Sequence, residues 1–198
     1  MKSLFKILLL VNLLSVQILF ADATSDEAYK AYEKATEYYK QKNYKQAIVW
    51  LQKSYDKKPT SEVAFNFGLL YDEKMKNIPN AIEWYKRAYE LDDVEGGYNL
   101  AILYKQQKDI PNAIKWYKKA IEKGHVSAIK NLGYLYRTEK NDNQLGSAYM
   151  IGLIDKKYSK KEVFDYLRNT LKIDEATLKK AYELQKTLVP NPYKGGID

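Results

Sequence analysis

The chain has 198 residues, 45% of them hydrophobic and 29% charged, with a formal net charge of +8. That balance supplies enough apolar surface to offset chain entropy and excludes wholesale disorder. With no cysteine and a single histidine, His125, it also excludes disulfides, thiolate nucleophiles, cysteine-type zinc sites and multi-histidine metal clusters, and no cofactor is expected. Only 9 Gly and 5 Pro stand against 19 Tyr and many Lys, Glu, Ala and Leu, which favours helices over a turn-rich β fold. The basic residues are spread along the chain, as on a solvated surface. Arginine occurs only at 87, 137 and 168, so neither an arginine-rich arm nor a nucleic-acid motif is present.

Residues 1–23 read as a secretory signal peptide. Lys2 and Lys6 form a basic start, and an apolar run from Ile7 to Phe20 follows. Ala21-Asp22-Ala23 then offers small residues for cleavage before Thr24, with cleavage after Ala21 as the near alternative. The competing readings are an uncleaved membrane anchor, since the run is close to the shortest that spans a bilayer, or a buried helix. No long apolar stretch occurs beyond Ala23, so the mature chain is expected to be soluble, periplasmic or secreted.

Residues 25–140 carry an internal period. Ala35, Gly68, Ala101 and Gly133 are spaced 33, 33 and 32 residues apart, and each is followed three residues later by a tyrosine: Tyr38, Tyr71, Tyr104 and Tyr136. A second motif recurs as Ala47-Ile48-Val49-Trp50-Leu51, Ala81-Ile82-Glu83-Trp84-Tyr85 and Ala113-Ile114-Lys115-Trp116-Tyr117. Each unit reads as two helices. In the first, the small residue and the tyrosine share a face. In the second, Ala81, Trp84, Tyr85 and Ala88 form an apolar stripe at helical spacing. Pro79 and Pro111, each followed by Asn, suit a helix start, and Asp92-Asp93 and Gly124 punctuate helix ends.

Residues 141–188 depart from the pattern. Asn141 to Gln144 reads as a turn, Leu145 to Ile154 as a short apolar helix, Ser159 to Glu162 as a helix start with an acidic residue at its third position, and Asp174 as the start of a last helix. These are taken as helices capping the last repeat, with a small separate interaction module as the alternative. Residues 189–198 read as a flexible tail.

The repeated residues resemble the tetratricopeptide repeat. The run from Trp116 to His125, and Asn131-Leu132-Gly133-Tyr134-Leu135-Tyr136 after it, are similar to the Sel-like subclass. The resemblance implies an all-α, right-handed solenoid of antiparallel helix pairs with three to four units, whose first helices line a concave groove. It also implies a protein-binding role. The family's groove asparagine, two residues before the small position, falls on Asn66, Asn99 and Asn131. An amide offers donor and acceptor together, which suits a peptide backbone, although it can equally bond a neighbouring repeat. One position earlier lie Phe65, Tyr98 and Lys130. One turn on lie Leu69, Ile102 and Tyr134, then Asp72, Lys105 and Arg137, of which Lys105 and Arg137 could together hold a carboxylate. His125 reads as an ordinary turn residue.

No nucleophile–base pair, phosphate loop or paired acids of glycosidase type occurs, so no enzymatic activity is expected. The reading is an exported scaffold that binds a protein or peptide partner, without nucleic acid. Two alternatives stand beside it: a self-assembling structural subunit of an envelope complex, and a positively charged membrane or cell-wall adaptor. Oligomeric state is left open.

Overall fold

The computed structural model describes residues 23–197. Residues 1–22, and with them nearly all of the expected leader, lie outside the described residues. The described chain is all-α, ten helices falling into two compact units divided at Asp92 and Asp93. Among the described residues no helix is long and apolar enough to cross a membrane.

The first unit holds α1 (residues 23–40), α2 (Tyr44–Lys57), α3 (Ser61–Leu69) and α4 (Ile78–Glu90). The expected stripe is there: α4 buries Ala81, Trp84, Tyr85 and Ala88. Phe67 of α3, fully buried, stacks on Trp84 at 3.9 Å between ring centroids. Gly68 is required by close approach, because a Cβ there would collide with the Tyr85 ring. In α2, Ser54 stands where later units have alanine. Its buried hydroxyl donates to Ala28 O at 2.8 Å, so the polar substitution is satisfied by the neighbouring helix.

The turns between paired helices repeat closely. The second helix of each pair is N-capped by Asn43, Asn77, Asp109 or Asp142, each accepting a backbone N–H three residues on. The residue before each cap, Lys42, Lys76, Lys108 or Asn141, is left-handed, with φ between 52 and 60°. Each cap N–H in turn donates to the carbonyl of the recurring tyrosine: Tyr38, Tyr71, Tyr104 or Tyr136. The tyrosines thus close the turn through their backbone, and their rings are half-buried rather than central to the core. Between Tyr71 and Asn77 there is one residue more than between Tyr38 and Asn43. The chain absorbs it as a π-helical turn over Leu70–Lys74, closed by Met75 N to Leu70 O at 3.0 Å.

The second unit holds α5 (Val94–Gln106), α6 (Ile110–Glu122), α7 (Val126–Glu139), α8 (Asn143–Ile151), α9 (Lys160–Asp165) and α10 (Glu175–Leu188). A π-helical turn, Tyr166–Thr170, continues α9. As expected, α6 buries Ala113, Trp116, Tyr117 and Ala120. The pattern does not end near residue 140. Helix α8 packs on α7 as the second helix of a fourth pair, its cap Asp142 in register with Asp109. Met150 and Ile151 of α8, Phe164 and Leu167 after it, and Leu178 and Ala181 of α10 share one core. Ser159 and Glu162 form the expected reciprocal cap.

Residues 189–197, expected as a flexible tail, are non-helical but tied down. Gln185, fully buried, donates to Tyr193 O at 2.7 Å and accepts the Tyr193 N–H at 3.2 Å. The Tyr182 hydroxyl donates to Lys194 O and Arg168 donates to Ile197 O. Val189 and Ile197 are buried, Val189 against Gly152. Two apolar anchors and one buried amide outweigh the loop-forming prolines.

Burial sets an alkaline limit on the fold. It is the main cause raising the Tyr117 hydroxyl from 10.0 to about 12, and it raises Tyr85 and Tyr149 as well. The folded state binds the proton more tightly than the unfolded chain. This stability is therefore complete below pH 10 and is lost as pH rises from about 10 towards about 12. An alkaline titration read by phenolate absorbance and circular dichroism is expected to show a late set of tyrosines ionising together with loss of helix. Ionisation of every tyrosine near pH 10 with helices intact would contradict it.

Candidate functional site

In the first unit, Asn66 donates from Nδ2 to the Tyr32 hydroxyl at 2.8 Å, and Tyr32 donates to Glu62 Oε1 at 2.9 Å. Burial, then the Glu62 carboxylate, pushes the Tyr32 hydroxyl up to about 12, so it stays a neutral donor and acceptor. Beside this pair lies a cavity of about 240 Å³ between α1, α2 and α3, lined by Tyr32, Tyr39, Ala47, Leu51, Asn66 and Leu69. Phe65 is half-buried, its ring 5.7 Å from that of Tyr85.

The second unit repeats the arrangement. Asn131 donates from Nδ2 to the Tyr98 hydroxyl at 2.9 Å. The Tyr98 ring stacks on His125 at 4.1 Å with 20° between planes. His125 is not an ordinary turn residue. Its Nδ1 accepts the Ala128 N–H at 3.1 Å and caps α7, and its Nε2 meets Glu95 Oε1 at 2.9 Å. Its register gave the signal, because Thr60 and Asp93 cap the first helices of the two preceding pairs.

Two of the three groove asparagines therefore hold neighbouring first helices together, the alternative left open by sequence. Asn66 spends one N–H and keeps its carbonyl and second N–H, whereas the Asn131 amide also lies against the buried Tyr117 hydroxyl. Asn99 differs. It is half-buried, and among the described residues its amide has no hydrogen-bond partner.

Lys105 is exposed on α5. Arg137 lies with its stem across Gly146 of α8, its Nε buried without a partner, and no interaction joins the two. The missing Cβ of Gly146 draws Arg137 down onto α8. Among the described residues no group of His, Asp or Glu could hold a metal ion.

The Sel1 repeat family model matches residues 28–59 and 98–125, and the tetratricopeptide repeat model matches residues 61–94. These three segments are Sel1 and tetratricopeptide repeats. No curated protein matches the sequence. Solved structures of the same class do. The Pseudomonas aeruginosa pilF protein is 17% identical, with a TM-score of 0.57 over 85% of this chain and 79% of that one. A tetratricopeptide repeat protein from Parabacteroides merdae is 17% identical, with a TM-score of 0.52 over 80% of this chain and 72% of that one. The protective antigen c5321 of uropathogenic Escherichia coli, described as displaying an SLR fold, is 18% identical, with a TM-score of 0.54. That match covers 86% of this chain and 47% of that one. These likenesses establish the fold. Repeat proteins of this class are protein-interaction scaffolds that bind protein or peptide partners, typically without catalysis. The fourth repeat pair, α7 and α8, lies beyond the matched residues.

Proposed function

We propose that this repeat protein is an exported scaffold that binds an extended peptide segment of an envelope protein along the faces of its first helices. The observation that carries the reading is the recurrence of a first-helix asparagine in each unit. Asn66 and Asn131 are anchored by tyrosine hydroxyls, and the Asn99 amide is uncommitted. A half-buried amide with both donor and acceptor unspent matches one peptide group of a ligand. Export rests on the basic, apolar and small-residue order of residues 1–23.

The test is capture from envelope extract with the chain from Thr24 onward, alongside Asn99→Ala, both checked by circular dichroism. Asn99 is the informative position, because substituting Asn66 or Asn131 also removes a bond between helices. The expected result is a partner retained by the wild type and weakened about tenfold by Asn99→Ala, the effect of roughly 1.4 kcal/mol for a lost amide pair. A partner held equally by both proteins would move the site off the first helices. A defined oligomer without a partner would replace the scaffold reading with self-assembly, and salt-sensitive binding to vesicles or cell wall would replace it with an adaptor.

A further inference from the structure

The second unit contains a cavity of about 270 Å³ between α7, α8 and the start of α9, lined by Lys130, Tyr134, Leu153, Tyr158, Val163 and Tyr166. Its size is below the roughly 300–1,000 Å³ of small-molecule sites and suits a single bulky side chain. Leu153 and Val163 are buried and give it an apolar floor. Its polar groups are donors. Lys130 Nζ reaches the Tyr158 hydroxyl at 3.3 Å and stands 5.8 Å from the ring centroids of both Tyr134 and Tyr158. The Tyr134 and Tyr166 hydroxyls share one hydrogen bond at 3.2 Å, which leaves one of the two O–H groups to donate outward.

Cations outnumber carboxylates around this cavity: Lys130 lines it, and Lys157 Nζ stands 5.9 Å from the Tyr158 ring centroid. Lys130 and Arg137 both act electrostatically on Tyr166. The one carboxylate on the lining, Glu162, is occupied by its own helix start. Its Oε2 accepts the Ser159 N–H at 2.8 Å and the Ser159 hydroxyl at 2.7 Å, and it forms no ion pair with Lys130. Lys130 directly precedes Asn131 on α7. A half-buried ammonium with aromatic and hydroxyl neighbours and no ion pair favours an incoming anion.

We infer that this cavity is an anchor site for an acidic peptide, taking a bulky apolar side chain onto Leu153 and Val163 with an adjacent side-chain carboxylate on Lys130. The site deepens the peptide-binding reading and rests on it, but the two fail separately. Asn99 is outside the cavity lining, so Asn99→Ala leaves this site intact.

The probe is a short fluorescent peptide, blocked at both ends, with Phe-Glu at its centre in a Gly-Ser background. Its binding to the chain from Thr24 onward is read by anisotropy. Changing the peptide's Glu to Gln is expected to weaken binding about tenfold, and changing its Phe to Ala by at least as much. Lys130→Met is expected to weaken the Phe-Glu peptide and to abolish the difference between Glu and Gln, and Lys130→Arg is expected to restore most of it. Circular dichroism of both variants separates lost binding from lost fold. Equal binding of all three peptides would overturn the inference. So would no saturable binding, an undiminished preference for Glu in Lys130→Met, or binding only when the peptide's own C-terminal carboxylate is left free. Persistence of a captured envelope partner alongside any of these results would remove the anchor site and leave the scaffold reading standing.

Discussion

Phe67→Ala is expected to cost the first unit about 3–5 kcal/mol, the range for truncating a buried phenylalanine. Phe67 is fully buried, stacks on Trp84 at 3.9 Å and lies 6.3 Å from Tyr71, with ring planes nearly parallel in both cases. Its removal leaves a hole between α3 and α4 that neither helix can close, because Gly68 already sits against Tyr85. For a chain of this length each kcal/mol lowers the melting temperature by about 2–4 °C, so a loss of roughly 10 °C is expected. Near-ultraviolet circular dichroism and tryptophan fluorescence would follow the Trp84 environment. Phe67→Leu should lose clearly less, since most of the volume remains. An alanine variant melting within about 2 °C of wild type would show that the ring stack is not the centre of this core.

Gly146→Ala is the second large effect, and it acts by overfilling. A Cβ at Gly146 would lie 2.8 Å from Gly133 O and collide with the Arg137 stem, and a Cβ at Gly133 would lie 3.0 Å from Gly146 O. Backbone oxygen cannot swing away as a side chain can, so α7 and α8 must separate. The expected cost is about 2 kcal/mol for alanine, the overpacking penalty reduced by alanine's better helix propensity, and more for Gly146→Leu. Neutral or stabilising behaviour of Gly146→Ala in thermal unfolding would mean that the two helices do not approach through these glycines.

These two sites show which parts of the fold the sequence displays. The stripe of Ala81, Trp84, Tyr85 and Ala88 and the Pro79 and Pro111 helix starts were legible, because each is a local rule with a fixed spacing. The fourth pair was hidden. Its second helix replaces Ala113, Trp116 and Tyr117 by Gly146, Tyr149 and Met150, so only the cap Asp142 keeps its register. The π-helical turn at Leu70 was visible only as one extra residue before Asn77. The anchored tail depends on Gln185 meeting the backbone of Tyr193, a tertiary contact that no local pattern announces.

The candidate site was legible as positions and not as interactions. Placing Asn66, Asn99 and Asn131 on equivalent turns needed only the repeat. That Asn66 and Asn131 are committed follows from the Tyr32 and Tyr98 hydroxyls, tertiary partners that helical spacing alone does not bring to the amides. That the Arg137 stem lies across Gly146 of α8 is a contact that helical spacing alone does not reveal.

The claim that first-helix faces receive the partner is tested most directly by site-specific photo-crosslinking in envelope extract. A photoreactive residue would replace, one at a time, Leu69 of α3, Ile102 of α5 and, on a second helix, the 45% exposed Val49 of α2. The account predicts that one partner crosslinks from Leu69 and Ile102 and not from Val49. Crosslinks from Val49 alone, or only between copies of this chain, would contradict it.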